Sequence, residues 1–200
     1  MRVLILSKTR MSNGICVGGI LTDGGYVRLL DYLGNNQPKD TCYEIGDIFE
    51  IEYIRRRDAA APHTEDILIH EKSLVKRIDD EEIVDILISK LKVQIWVGSP
   101  DRIFDGKLHW TDNGSGYISA SGEIPSNSVG FWKSDKKLLM RNYDDKCRYY
   151  YFFTGSDNET HQKAITYVGM KNPVDEIPSG TLLRVSLARW WSPDEKEERC

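Results

Sequence analysis

In this 200-residue chain, cationic and aromatic side chains concentrate between Leu138 and Phe153. Two β-forming runs flank Asp144-Asp145. If that pair is a two-residue turn, Tyr143 faces Lys146, Asn142 faces Cys147, Arg141 faces Arg148, Met140 faces Tyr149 and Leu139 faces Tyr150. Alternation then sorts the hairpin onto two faces. Leu138, Met140, Asn142, Cys147, Tyr149 and Tyr151 turn to the core. Leu139, Arg141, Tyr143, Lys146, Arg148 and Tyr150 share the other face, where cations interleave with rings. Arg141 opposite Arg148 is unfavourable by itself, by about 0.2–1 kcal/mol. A phosphate between the two guanidiniums reverses that sign. Rings beside cations are the chemistry that holds single-stranded nucleic acid, each base–aromatic stack contributing roughly 1–3 kcal/mol. The structural alternative has both arginines paired with carboxylates of a neighbouring strand and Tyr150 covering the sheet.

Weaker candidates lie elsewhere. Arg55-Arg56-Arg57 at a strand end could touch phosphates but reads first as a solvated turn. His63 stands near Glu65 and Asp66, where a loop hydrogen bond is a simpler role than a metal site, which would need a further His or Cys close in space. His70, His109 and His161 are isolated. Glu50 and Glu52 share one strand face, the ordinary pattern of a solvated edge. No phosphate-binding glycine loop, nucleophile elbow or zinc-protease motif is present, so no catalytic residue, metal or cofactor is assigned.

These groups must be positioned by strands. Gly14 to Leu30 supplies two β-rich runs around Thr22-Asp23-Gly24-Gly25, read as a tight hairpin with a type I′ turn at Asp23-Gly24. Met1 to Ser7 precedes it, with Ser12-Asn13-Gly14 as the turn between. Residues 32–41 form a loop. Ile48 to Ile54 alternates, with Phe49, Ile51 and Tyr53 inward; Asp66 to Ile69 and Ser73 to Ile78 read as one bent strand or two. The expected helix is Asp79 to Leu91, capped by Asp79 with Glu82 at capping-box spacing and striped by Val84, Leu87, Ile88 and Leu91. Val93 to Val97 is again strand. Residues 98–106 read as a loop or one helical turn, and 107–127 as short strands joined by turns or a long loop. Ser128 to Trp132, Leu138 to Tyr143, Lys146 to Thr154, Gln162 to Met170 and Thr181 to Trp191 complete the strands.

Composition bounds the rest. The chain is 40% hydrophobic and 29% charged, as soluble globular proteins are. No run approaches the ~20 apolar residues of a membrane helix, and no signal peptide is evident, so a cytoplasmic location is expected. The 4 cysteines lie far apart without a Cys-x-x-Cys pair, as in a reducing compartment. A net charge of −4 means that any nucleic-acid site is a local patch on an acidic body.

Three segments together resemble the prokaryotic dual OB-fold domain family: Val3 to Arg10 with Gly14 to Ile20; Arg28-Leu29-Leu30 through Asn36-Gln37-Pro38 and Gly46-Asp47-Ile48; and Arg184 to Trp191 with Glu198-Arg199-Cys200. The resemblance spans essentially the whole chain. It implies two OB-like barrels and nucleic-acid binding inferred from the fold. Within it, Arg189 and Trp190 become secondary candidates, offering a guanidinium and an indole face to a base.

The sequence therefore predicts a mostly-β protein of two small OB-like barrels, one in residues 1–95 and one in 96–200. One amphipathic helix near residues 79–91 lies between or against them. The expected function is a non-catalytic nucleic-acid-binding or nucleotide-sensing module with single-stranded DNA or RNA as partner. Arg141, Tyr143, Lys146, Arg148 and Tyr150 form its central surface. The alternatives are a protein-interaction adaptor, with a protein partner or effector, and a metal-dependent nuclease.

Overall fold

The computed structural model describes residues 1–143, 146–192 and 197–200, with Tyr143 described for its backbone alone. The chain is mostly β and divides into two compact units, Met1–Val93 and Gln94–Cys200.

Five strands build the first unit: β1 (Arg2–Met11), β2 (Gly14–Leu21), β3 (Tyr26–Leu30), β4 (Asp47–Arg55) and β5 (Asp66–Arg77). They close into a barrel in the order β1-β2-β3-β5-β4, with β4 returning to β1. All neighbours are antiparallel except β3 and β5. Such closure leaves no sheet edge. Alternation fills the interior: Val3, Ile5, Val17, Leu29, Phe49, Ile51, Ile67 and Ile69 point inward, and Tyr43 from the β3–β4 connection packs edge-on against Phe49. Glu50 and Glu52 stay on the solvated face. No helix separates β3 from β4; residues 31–46 carry a loop there.

The β2–β3 turn differs from the type I′ expectation. Asp23 does not take a left-handed conformation; Gly24 alone does, at φ +88°. Leu21 N–H donates to Gly25 O and Gly24 N–H donates to Leu21 O. Three residues therefore turn the chain, and Gly25 N–H donates to the Asp23 carboxylate at 2.9 Å. That side-chain acceptor holds Asp23 in an Asx turn, removing its need for positive φ.

Helix α1 (Asp80–Asp85) starts where the sequence places it: Glu82 N–H donates to Asp79 at 2.8 Å. The Glu82 side chain turns instead to Lys76, so the capping box is half made. From Ile86 to Lys90 the winding is π, with Leu91 N–H donating to Ile86 O. Wider winding rotates the predicted stripe. Ile83 and Leu87 are buried, whereas Val84 and Ile88 are 39% and 38% exposed. Ile83 packs toward Gly46, setting this helix against the first barrel.

The second unit comprises β6 (Ile95–Gly98), β7 (His109–Trp110), β8 (Gly116–Tyr117), β9 (Val129–Ser134), β10 (Leu138–Tyr143), β11 (Lys146–Thr154), β12 (Thr160–Thr166), β13 (Glu176–Ile177) and β14 (Leu182–Ser186). A four-stranded sheet β12-β11-β10-β13 and a three-stranded sheet β14-β9-β6 enclose one aromatic core around Trp132, Tyr149 and Tyr151. The first unit is thus a closed barrel, and the second is built from separate sheets around its own core. The Trp96 ring lies where a Cβ on Gly130 would sit, so only glycine admits it. Pro100–Gly106 forms a 3-10 turn, and β7 with β8 makes a short hairpin. β14 ends at Ser186, five residues before Trp191, so Arg189 and Trp190 lie beyond the strand predicted to hold them. All four cysteines are free. No helix among the described residues is long and apolar enough to cross a membrane.

Candidate nucleic-acid interface

The hairpin of β10 and β11 has the register expected from its sequence: Leu139↔Tyr150, Met140↔Tyr149, Arg141↔Arg148, Asn142↔Cys147 and Tyr143↔Lys146. The Asp144-Asp145 turn and the Tyr143 side chain lie outside the described residues.

The inward face anchors it. Leu138, Tyr149 and Tyr151 are buried, and Met140 and Cys147 pack on the same core; Asn142 at the strand end is exposed. Both buried phenols find partners, as such groups require. Tyr149 Oη donates to Val174 O at 2.8 Å and accepts from Val174 N–H at 3.0 Å. Tyr151 Oη donates to Asp135 at 3.0 Å; burial, then that carboxylate, pushes its pKa up to about 12.

On the outward face, Arg141 is exposed and its guanidinium lies 5.7 Å from the Tyr150 ring centroid and 5.1 Å from that of Phe152. The two rings stack at 6.2 Å and 24°. Arg141 makes no ion pair among the described residues, whereas neighbouring Lys137 is held by Glu176 at 2.9 Å. Lys146 is exposed and Arg148 half-buried. Tyr150 corrects the sequence reading. At 7% exposure it offers no open face to a base and acts instead as the floor under Arg141. Phe152 is the residue that the reading missed, although it follows Tyr150 by two positions and so shares its face. β12 extends the surface with Thr166, Ala164 and Gln162, opposite Arg148, Tyr150 and Phe152. Arg189 and Trp190 are half-buried and follow a strand of the other sheet, and Trp191 beyond them is 55% exposed.

The opposite face of the same sheet carries a second cation, already neutralised. Lys163 lies over the Trp110 ring at 4.7 Å and the Phe153 ring at 5.1 Å and pairs with Asp101. Burial pushes Asp101 upward, but Lys163, Ser99 and Trp110 outweigh it and hold the carboxyl below its ordinary range. Arg56 is likewise engaged by Asp58 at 2.8 Å, and Arg55 is the last residue of β4. His63, Glu65 and Asp66 are buried. No three His, Cys, Asp or Glu side chains among the described residues converge as metal ligands.

A family model described as a dual OB-containing domain matches residues 1–200. No curated protein matches the sequence. Among solved structures, a protein of unknown function from Bacteroides vulgatus is similar at 12% identity, covering 84% of this chain and 76% of its own, with a TM-score of 0.25.

Proposed function

We infer, from a chain that belongs to the dual OB-containing domain family, a non-catalytic module that binds single-stranded nucleic acid in the cytoplasm. OB-folds bind oligonucleotides on their sheet faces and loops, which supports the class but does not name the surface. One observation carries the assignment of the surface: Arg141 is an exposed guanidinium, stacked over two rings and without a carboxylate partner among the described residues. A guanidinium that lies near aromatic rings and meets no carboxylate among the described residues keeps its N–H fork available for phosphate oxygens. Arg148 directly across the ladder and Lys146 nearby add positive potential on a body of net charge −4. That local concentration makes the patch rather than the whole protein the anion site.

Anisotropy of a labelled single-stranded oligonucleotide across a salt series tests this. Affinity should fall with log salt at a slope of about −0.7 per neutralised phosphate. Replacing Arg141 and Arg148 together should abolish binding. Unchanged binding by that double variant removes the surface from consideration.

A protein-interaction adaptor is favoured by a different feature. Tyr32 and Leu33 are 64% and 69% exposed on a loop pinned by Asp31, whose carboxylate accepts from Leu33 N–H at 2.9 Å and Asn35 N–H at 2.8 Å. A rigid loop presenting an aromatic and an aliphatic anchor suits a protein partner. That reading predicts partner binding nearly independent of salt and lost in Tyr32→Ser/Leu33→Ser.

A further inference from the structure

A second guanidinium that lies on an aromatic ring stands outside the Arg141 surface. At the β12 edge a parallel bridge, Ser115↔Ala164, joins the sheet to the β7–β8 hairpin. His109 and Tyr117 are a cross-strand pair there, so their rings share one side, 5.5 Å apart and tilted by 30°. His109 is exposed and Tyr117 half-buried. The chain returns along this hairpin: Ile118 and Cys200 exchange both backbone hydrogen bonds, as do Trp191 and Arg199. This fixes Arg199, whose guanidinium carbon lies 4.0 Å from the Tyr117 ring centroid.

The Arg199 side chain forms no hydrogen bond or ion pair among the described residues, and its Nε is buried without an acceptor. The nearby carboxylate of Glu197 is occupied elsewhere. It accepts from Ser121 N–H at 2.7 Å, and hydrogen bonds from Ser119 and Ser121, with a smaller effect of Arg199, hold its pKa down to about 2. A half-buried cation that lies on a ring, with its Nε shielded from water and no hydrogen-bond acceptor for that Nε, has given up part of its hydration without full return, since the Glu197 carboxylate acts on it only through space. An anion delivered beside a flat group restores both.

We propose that His109, Tyr117 and Arg199 form a second binding site, taking one nucleotide, with its base stacked on His109 and its phosphate at Arg199. The shared chemistry is base plus phosphate, and the source is a free nucleotide or one residue of a single strand. The polynucleotide source rests on the function proposed above, whereas the free-nucleotide source does not.

Imidazole NMR of the full chain, with its 4 histidines assigned, tests it using AMP, a ten-nucleotide single-stranded oligodeoxynucleotide and inorganic phosphate as probes. His109 should respond to AMP if free nucleotide is the source, and to the oligonucleotide alone if it is a strand. Phosphate should move it far less. Arg199→Gln should weaken the response about tenfold, the loss expected for one charge-assisted hydrogen bond. His109→Ala, an exposed truncation, should weaken binding of the same nucleotide probe as read by isothermal titration calorimetry, run on the wild type and on both site variants. Arg141→Gln should leave the AMP response in place, which separates failure of this site from failure of the Arg141 surface. No His109 response to either nucleotide probe, an equal response to phosphate, or unchanged affinity in both site variants overturns the proposal.

Discussion

Changing Arg141 to glutamine removes one charge from the stacked position while keeping a planar group over Tyr150 and Phe152. Two opposing effects set its consequence for stability. Relief of the cross-strand repulsion with Arg148 contributes about 0.2–1 kcal/mol. Loss of the cation–π contacts, exposed and with centroid distances of 5.1 and 5.7 Å, costs about 0.5–1 kcal/mol. The sum is near zero, so the melting temperature should stay within about 2–4 °C, the shift that 1 kcal/mol produces at this size. Binding should behave differently. A charge-assisted hydrogen bond to phosphate contributes about 1.5–3 kcal/mol, or roughly 10- to 150-fold in affinity. The log–log salt slope should also become shallower by about 0.7, one phosphate on a single strand. Calorimetry and anisotropy at four or so salt concentrations read both quantities from one preparation. Unaltered affinity and slope, alongside an unaltered melting temperature, would refute the idea that this guanidinium meets a phosphate.

Other perturbations probe the fold beneath the site. Gly130→Ala puts a methyl into the Trp96 ring and should destabilise the protein by about 1–3 kcal/mol in urea unfolding, the usual cost of overpacking. Asp101→Asn tests a pH linkage: because the folded carboxyl titrates below its ordinary 3.8, its stabilisation is present above that value and lost as pH falls through the folded pKa. The wild type should therefore be the more stable at neutral pH, with the two curves converging in acid. Alkylation at pH 8 should modify exposed Cys42 and spare Cys200, whose pKa burial, then Glu198, raises to about 11; Cys200 should react only in denaturant.

Local alternation alone determined much of this protein. The β10–β11 register, the inward tyrosines, the Asp79 cap and the solvated face of Glu50 and Glu52 follow from residue order, because a strand's period of two and a helix cap depend on immediate neighbours. The turn at Asp23 and the π winding after Asp85 did not follow. Each depends on which of several near-equal hydrogen-bond patterns the surrounding packing selects.

What lies over a strand face was decided by residues far away in the chain. Lys163 finds Asp101 across 62 positions, and Arg199 reaches Tyr117 only because the chain's end is laid along residues 118–120. The pairings of β3 with β5 and of β4 with β1, which together close the first barrel, are likewise long-range events. Sequence spacing thus assigned the side of the sheet on which Arg141 and Tyr150 stand. Tertiary packing buried Tyr150, exposed Arg141 and left a second guanidinium on an aromatic ring, since burial is set by whatever else the fold brings to that surface.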